Sequence, residues 1–202
     1  MGALVLLALV GIAQCVTAQT PKAYKRTMLV VTAGAGTVLS DSVMESFWKP
    51  GVSGAVSILF HVSRPVSFGI GFEGTYLPFD AAGFTETHPD IPVHATDLGL
   101  LSLSIQGKWS PFPLYAVSPF LSGSVGATHT TAASYTQTIQ GKRHVYYSIK
   151  PKNRLSLGVS AGADFSLAPW LWIELEARGA YAYHDPDLGV SVAGRAGMQI
   201  RL

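Results

Sequence analysis

From residue 28 onward the chain alternates apolar residues with small or polar ones, and its charges fall on the small, polar side. The clearest run is 155–167. Its odd positions are Leu155, Leu157, Val159, Ala161, Ala163, Phe165 and Leu167; its even positions are Ser156, Gly158, Ser160, Gly162, Asp164 and Ser166. Side chains in a strand alternate faces, so this is a strand with one apolar and one polar face. The run 188–202 repeats the pattern, setting Leu188, Val190, Val192, Ala196, Met198, Ile200 and Leu202 against Ser191, Arg195, Gln199 and Arg201. Two folds use such strands. A soluble sheet buries the apolar face, and a membrane barrel turns it outward.

Composition favours the second. The 202 residues are 48% hydrophobic and 13% charged, with a mean hydropathy of +0.30. Soluble domains usually carry about a quarter charged residues. Beyond the first 20 residues no apolar stretch reaches the roughly 18 that a membrane helix needs. One domain is expected at this length. A net charge of +2 is too small to suggest a nucleic-acid partner.

The N-terminus reads as a targeting segment. Residues 3–13 form an apolar core, with no Lys or Arg before it, and Val16 and Ala18 supply the small residues of a cleavage site. A signal peptide over 1–18 is expected, then a short segment 19–27 and a barrel domain 28–202. Gln14 sits where a lipoprotein signal needs a small residue, so Cys15 is expected to leave with the signal. The mature chain then has no cysteine and no disulfide.

Eight alternating segments can be counted: 28–39, 51–62, 66–77, about 96–109, 120–130, 155–167, 171–183 and 188–202. The connections at 64–65, 110–117 and 168–170 are short. Those at 40–50, 80–95 and 131–153 are long, and 184–187 is a short fourth member of that set. Hairpins with short turns at one end and long loops at the other are the layout of membrane barrels. The segments exceed the 5–6 residues common in globular strands and match the roughly 9–11 of a tilted membrane strand. A soluble barrel would leave Gly and Ser to cover its outside, which is a poorly solvated surface. Aromatics gather near the segment ends as candidate interfacial girdles: Phe47, Trp48, Tyr76, Phe79, Trp109, Phe112, Tyr115, Trp170, Tyr181 and Tyr183. The expected fold is all-β, an eight-stranded antiparallel up-and-down transmembrane barrel with its termini on the periplasmic side.

Three stretches carry a family resemblance: Ala33-Gly34-Ala35-Gly36, Pro119-Phe120-Leu121 with Gly123 and Gly126, and the alternating C-terminal run. Over about residues 24–202 the chain resembles the small eight-stranded outer-membrane β-barrels, the OmpA-like and OmpX-like porin-family domain of Gram-negative bacteria. The resemblance implies an outer-membrane location, insertion by the barrel-assembly machinery, a monomer, contact with outer-membrane lipid including lipopolysaccharide, and no cofactor. Two departures stand out. The chain ends on Leu202 where the family's assembly signal ends on Phe, and no peptidoglycan-binding domain is expected after the barrel.

Strand parity gathers Glu73, Lys108, Asp164, Glu174, Glu176, Arg178, Arg195 and Arg201 inside the expected barrel. An eight-stranded lumen is just wide enough for side chains to fill it, and charges there must pair or suffer desolvation. A salt-bridged plug is expected, with a gated ion path as the functional alternative. Arg195 is expected to pair with Glu73, Asp164 or a strand-seven glutamate. No acid occurs in 98–163, while Lys142, Arg143, Lys150, Lys152 and Arg154 crowd the third long loop, a candidate site for lipopolysaccharide phosphates or another polyanion. The second long loop and its junction carry Asp80, Glu86, Asp90 and Asp97 instead. Glu86, His88, Asp90 and His94, and separately His184, Asp185 and Asp187, match no fixed metal motif, so no metal is assigned. His61-Val62-Ser63 matches the short His-x-Ser string of lipid A deacylases but points inward at the wrong end, so no catalytic residue is assigned. The expected role is non-enzymatic, structural or surface-contacting through the loops. A narrow porin-like channel for ions or small solutes is the alternative, and a lipid-modifying enzyme a remote one.

Overall fold

Alternation by twos produces eleven strands in a computed structural model that describes residues 27–39, 48–83, 93–113, 115–131, 133–139, 142–183 and 190–202. The expected signal peptide and almost all of the segment 19–27 lie outside the described residues. In chain order the strands are β1 (Thr27–Leu39), β2 (Gly51–His61), β3 (Val66–Leu77), β4 (Val93–Ala95), β5 (Leu98–Trp109), β6 (Val117–Thr130), β7 (Ala133–Ile139), β8 (Lys142–Ile149), β9 (Lys152–Ser166), β10 (Leu171–Ala182) and β11 (Val190–Arg201). Eight of them close a barrel in the order β1-β11-β10-β9-β6-β5-β3-β2. Every neighbouring pair is antiparallel, and β1 pairs with both β2 and β11, so no edge is left open.

The faces follow the sequence parity. On β9 the outward Val159 is 69% exposed and the inward Asp164 is 1% exposed. Ile58, Phe60, Phe68, Ile70, Phe72, Leu103, Ile105, Leu155 and Leu157 also face outward. A continuous apolar wall of this extent would drive association in water and matches a hydrocarbon layer. Barrel strands of 11 to 15 residues are long enough to cross it at a tilt. This is a membrane-spanning barrel turned inside out relative to a soluble one.

Several boundaries and one loop differ from the sequence expectation. β5 starts at Leu98 rather than 96, β6 at Val117 rather than 120 and β9 at Lys152 rather than 155, while 188–189 lie outside the described residues. Pro119 had suggested that β6 begins after it. The ladder between β5 and β6 begins only at Trp109 opposite Leu121, so at Pro119 the strand has β9 alone beside it. No inter-strand donor is required on the open side, and proline fits there. The stretch 131–153, expected as a loop, instead folds back as the β7–β8 hairpin. Tyr135 is opposite Tyr147, Thr136 opposite Val145 and Ala133 opposite Ile149 across it, pairs rich in β-branched and aromatic residues suited to strands. With β4 it makes a separate sheet of order β4-β7-β8 at the long-loop end.

Candidate functional site

The lumen holds all eight charges assigned to it by parity, arranged as two layers. In the layer nearer the short-turn end, Asp164 and Glu174 are directly paired across β9 and β10. Two carboxylates facing each other at that depth need a cation. Lys108 supplies it from β5, with Nζ donating to Asp164 Oδ1 at 3.0 Å and to Glu174 Oε2 at 2.6 Å. Its ammonium also lies 3.8 Å over the Phe120 ring. That ring fits because Gly162 on the neighbouring strand has no side chain; a Cβ there would lie 2.6 Å from Phe120. Arg201 sits below this layer, its guanidinium 3.6 Å from the Trp172 ring centre and its Nη1 donating to the Pro113 carbonyl at 3.2 Å.

The second layer is built on Glu73. Its Oε2 is 2.7 Å from Arg178 Nε, a charge contact without hydrogen-bond alignment, and its Oε1 accepts from Arg195 Nη2. Arg178 Nη2 also donates to Ser124 Oγ at 2.9 Å. Arg195 donates from Nε and Nη2 to Ser53 Oγ at 3.0 and 2.8 Å, and its Nη1 is 3.7 Å from Glu176 Oε2. Gly158 makes room for the Arg178 guanidinium, since a Cβ there would lie 2.8 Å from Nη2. Parity placed these charges, but Ser53, Ser124 and Phe120 were not singled out as their partners. Their even spacing on the small-residue faces is the signal that could have found them.

Little space remains. A cavity of about 30 Å³ lies between the layers, lined in part by Thr32, Ser57, Ser104, Gln106 and Ser122. Another of about 30 Å³ lies beyond Glu73, lined in part by Thr75, Ser102, Thr128 and Ser156. Each has room for only a few waters.

Above these, at the long-loop end, an apolar cluster forms a cap over part of the lumen. Trp48 packs with Val38, Leu77, Leu98 and Leu100, and with Phe79 edge-on at 5.7 Å between ring centres. Trp48 was expected in the interfacial girdle, yet it is only 6% exposed. It turns inward because Trp48 and Phe79 bridge as an antiparallel pair, Lys49 N donates to the Pro78 carbonyl, and Trp48 Nε1 donates to the Thr96 carbonyl. Phe79 is likewise part of the cap. Phe47 lies outside the described residues. Tyr76, Trp109, Phe112, Tyr115, Trp170, Tyr181 and Tyr183 are exposed at the strand ends, where a girdle belongs.

Two carboxylates outside the membrane-spanning strands pin the cap. Asp97 accepts from the Tyr76 hydroxyl and from Phe79 N at 3.0 Å, and the hydroxyl foremost holds its carboxyl below the usual carboxylate range. Asp80 is 2.7 Å from Lys49 Nζ and accepts from Gly83 N, with the same downward effect. A folded-state value below the unfolded one gives stability that is complete above about pH 4 and lost as pH falls further. The cap is therefore expected to be unchanged between about pH 5 and 8 and to loosen only below about pH 4. Trp48 fluorescence, read with Trp109, Trp170 and Trp172 replaced by phenylalanine, should report this, and Asp97→Asn should flatten the response.

The five loop cations fall on different elements. Lys142 and Arg143 open β8, Lys150 lies between β8 and β9, and Lys152 and Arg154 belong to β9 itself. Lys150 and Lys152 are exposed, whereas Arg154 is half-buried and reaches Thr130 Oγ1 at 3.4 Å. The single loop expected from sequence is thus β8, a short connection and the start of β9. His61 Nδ1 pairs with Ser67 Oγ at 2.7 Å inside the barrel, so its serine partner is Ser67, which is buried. Glu86, His88, Asp90, His184, Asp185 and Asp187 lie outside the described residues. Among the described residues no group of three or more His, Cys, Asp or Glu is placed to hold a metal.

No protein-family model matches the sequence, and no curated protein matches it. Solved structures do. Neisserial surface protein A is similar with a TM-score of 0.58 and 14% identity, covering 87% of this chain and 97% of that one. Ail, the attachment invasion locus protein of Yersinia pestis, gives 0.55 and 15% identity over 88% of this chain and 100% of that one. Its complex with the heparin analogue sucrose octasulfate gives 0.56 and 15% over 89% and 100%. At such identities the likeness concerns the fold. The chain has the fold of the small eight-stranded outer-membrane barrels.

Proposed function

We propose that this protein is a non-enzymatic outer-membrane barrel that works through its wall and its external elements rather than through its lumen. The observation that carries this reading is how the lumen is filled. Lys108 with Asp164 and Glu174, Glu73 with Arg178 and Arg195, and the Trp48 cap succeed one another along the axis. The exposed Lys150 and Lys152, with Arg154 behind them, supply cations at the rim where lipid headgroups meet the wall. Charge-assisted hydrogen bonds to phosphate are the strong ones, so lipopolysaccharide phosphates are the partner that suits this rim. Ail in complex with sucrose octasulfate is a barrel of this fold holding a polyanion, which supports the same reading. A monomer inserted by the barrel-assembly machinery belongs to it as well.

Planar-bilayer recording tests the reading. The purified protein is expected to be silent. Steady conductance that changes in Glu174→Ala or Arg178→Ala would instead establish a channel. In parallel, Lys150→Gln with Lys152→Gln should weaken binding of phosphorylated lipopolysaccharide and leave binding of its dephosphorylated form unchanged.

A further inference from the structure

On β6 and β9 the apolar wall ends at a polar pair. Toward the long-loop end, the outward positions of β6 are Leu121, Gly123, Val125 and Ala127, and the next is His129. Those of β9 are Leu157 and Leu155, and the next is Asn153. His129 and Asn153 are directly opposite each other in the ladder and exposed, with Nδ1 and Oδ1 2.7 Å apart. A position just past a hydrocarbon-facing wall meets the level at which a lipid's acyl chains join its headgroup. We propose that this pair binds the amide linkage of an N-acylated, phosphorylated amino-sugar lipid at the outer rim of the barrel.

Hydrogen-bonding capacity selects the ligand. An amide oxygen only accepts, so Nδ1 carries the hydrogen, Nε2 of the neutral ring is left as an acceptor, and the Asn153 amide nitrogen keeps its donors. Were the Asn153 amide turned over, it would donate to Nδ1, Nε2 would carry the hydrogen and the amide oxygen would accept. In both arrangements the pair offers one donor and one acceptor to a neighbour. An amide-linked acyl chain brings the match, a carbonyl and an N–H. An ester linkage has no N–H, so a glycerophospholipid satisfies only half of the pair.

The surroundings suit the rest of such a molecule. Leu101, opposite His129 on β5, and Leu155, two residues from Asn153, are exposed apolar side chains for an acyl chain to lie along. Tyr183 N donates to the Leu155 carbonyl at 2.8 Å, and its side chain is exposed, which puts an aromatic ring one strand from Asn153 on the sugar side. Lys150 and Lys152, exposed in the same stretch of chain, supply cations for phosphate. The assignment rests on the lipopolysaccharide reading of the rim and deepens it: the cations select phosphate, and the polar pair selects the linkage.

The test uses the whole protein in detergent micelles and the displacement of a fluorescent lipid A, a phosphorylated amino-sugar lipid with amide-linked chains. The competitors are unlabelled lipid A, a synthetic analogue with those amides replaced by esters, and N-acetylglucosamine 1-phosphate. Lipid A should compete about tenfold better than the ester analogue, the size of one or two net hydrogen bonds. The soluble sugar phosphate has no long chain to lie on the wall and should not compete at the same concentrations. His129→Leu with Asn153→Leu should bring lipid A down to the level of the ester analogue and leave the analogue unchanged. Leucine suits both positions, since each adjoins the apolar wall, and heat-modifiable gel mobility checks that the barrel still folds. Lys150→Gln with Lys152→Gln should weaken both lipids equally and keep their ratio. Equal competition by the two lipids overturns the proposal, and so does a preference that survives the double leucine change. Full competition by the soluble sugar phosphate overturns it in favour of a free sugar ligand. If the lysine effect persists in those cases, the phosphate reading stands without the polar pair. An amide preference with no lysine effect would support the pair and sink the phosphate reading instead.

Discussion

Lys108→Met should cost on the order of 3–5 kcal/mol of unfolding stability, because it removes one partner from a buried ionic group and strands the rest. The stranded groups here are two carboxylates. Asp164 and Glu174 are 1% and 5% exposed, face each other across β9 and β10, and share this ammonium at 3.0 and 2.6 Å. Methionine keeps the length of the side chain and its packing against Phe120 while losing the charge. The loss is therefore electrostatic rather than steric. Urea unfolding in detergent, followed by the heat-modifiable gel mobility of the folded barrel, measures it. The triple change Lys108→Met, Asp164→Asn and Glu174→Gln should recover most of the loss, since an uncharged set of similar volume is often as stable as the ionic one. A single variant within about 1 kcal/mol of the parent would mean that water reaches the site and screens it, as it does exposed pairs. The lumen would then be wet at that depth.

That layer was legible in the sequence because parity alone assigns faces. Once 155–167 reads as a strand, Asp164 must oppose Val159, and the same rule carries Glu174, Glu176 and Arg178 to one side. What parity does not give is depth. Which of Glu73, Asp164, Glu174 or Glu176 meets Arg195 depends on the shear of the closed barrel. Register sets Glu176 directly opposite Arg195, yet Arg195 lies nearer to Glu73 on a strand across the lumen. The cap was illegible for a different reason. Trp48 and Phe79 lie in connections rather than strands, where parity says nothing, and their inward turn depends on bridging each other across more than thirty residues. The β7–β8 hairpin was less legible because Gln137, Gln140, Lys142 and Arg143 interrupt the apolar alternation there. Tyr135, Thr136, Val145 and Tyr147 carried a strand signal of their own.

The order of closures along the axis also explains why so many interior positions are Ser, Thr or Gly. Arg178 and Arg195 are long side chains in a narrow tube. They need neighbours that are short, so as to leave space, and polar, so as to accept the hydrogen bonds that glutamate leaves unmade. Ser124 and Ser53 do both. A leucine at either position would crowd the guanidinium and leave it short of an acceptor in a site that water barely reaches. The pattern that first marked the chain as a two-faced strand protein is thus the same one that lets two arginines share the middle of the barrel.

Glu73→Ala should be the second severe change, and it tests that middle layer. Glu73 is the carboxylate in contact with both Arg178 and Arg195, so its removal leaves two buried guanidiniums facing each other and should also cost about 3–5 kcal/mol. Arg195 keeps Ser53 and the more distant Glu176 at 3.7 Å, and Arg178 keeps Ser124, which limits the damage without replacing the charge. Glu176→Gln, which removes only the longer contact, should cost distinctly less. Glu73 lines both small cavities, so its truncation should also merge them into one space with a positive wall. That space should still not conduct, because Lys108 with its two carboxylates closes it on one side and the Trp48 cap on the other. Unfolding in urea measures the stability loss, and bilayer recording of the same variant measures the leak. A destabilised but silent Glu73→Ala fits a lumen closed in three successive places. A conducting Glu73→Ala would show that Glu73 alone had been the barrier, and the case for a barrel that works only through its surface would fail with it.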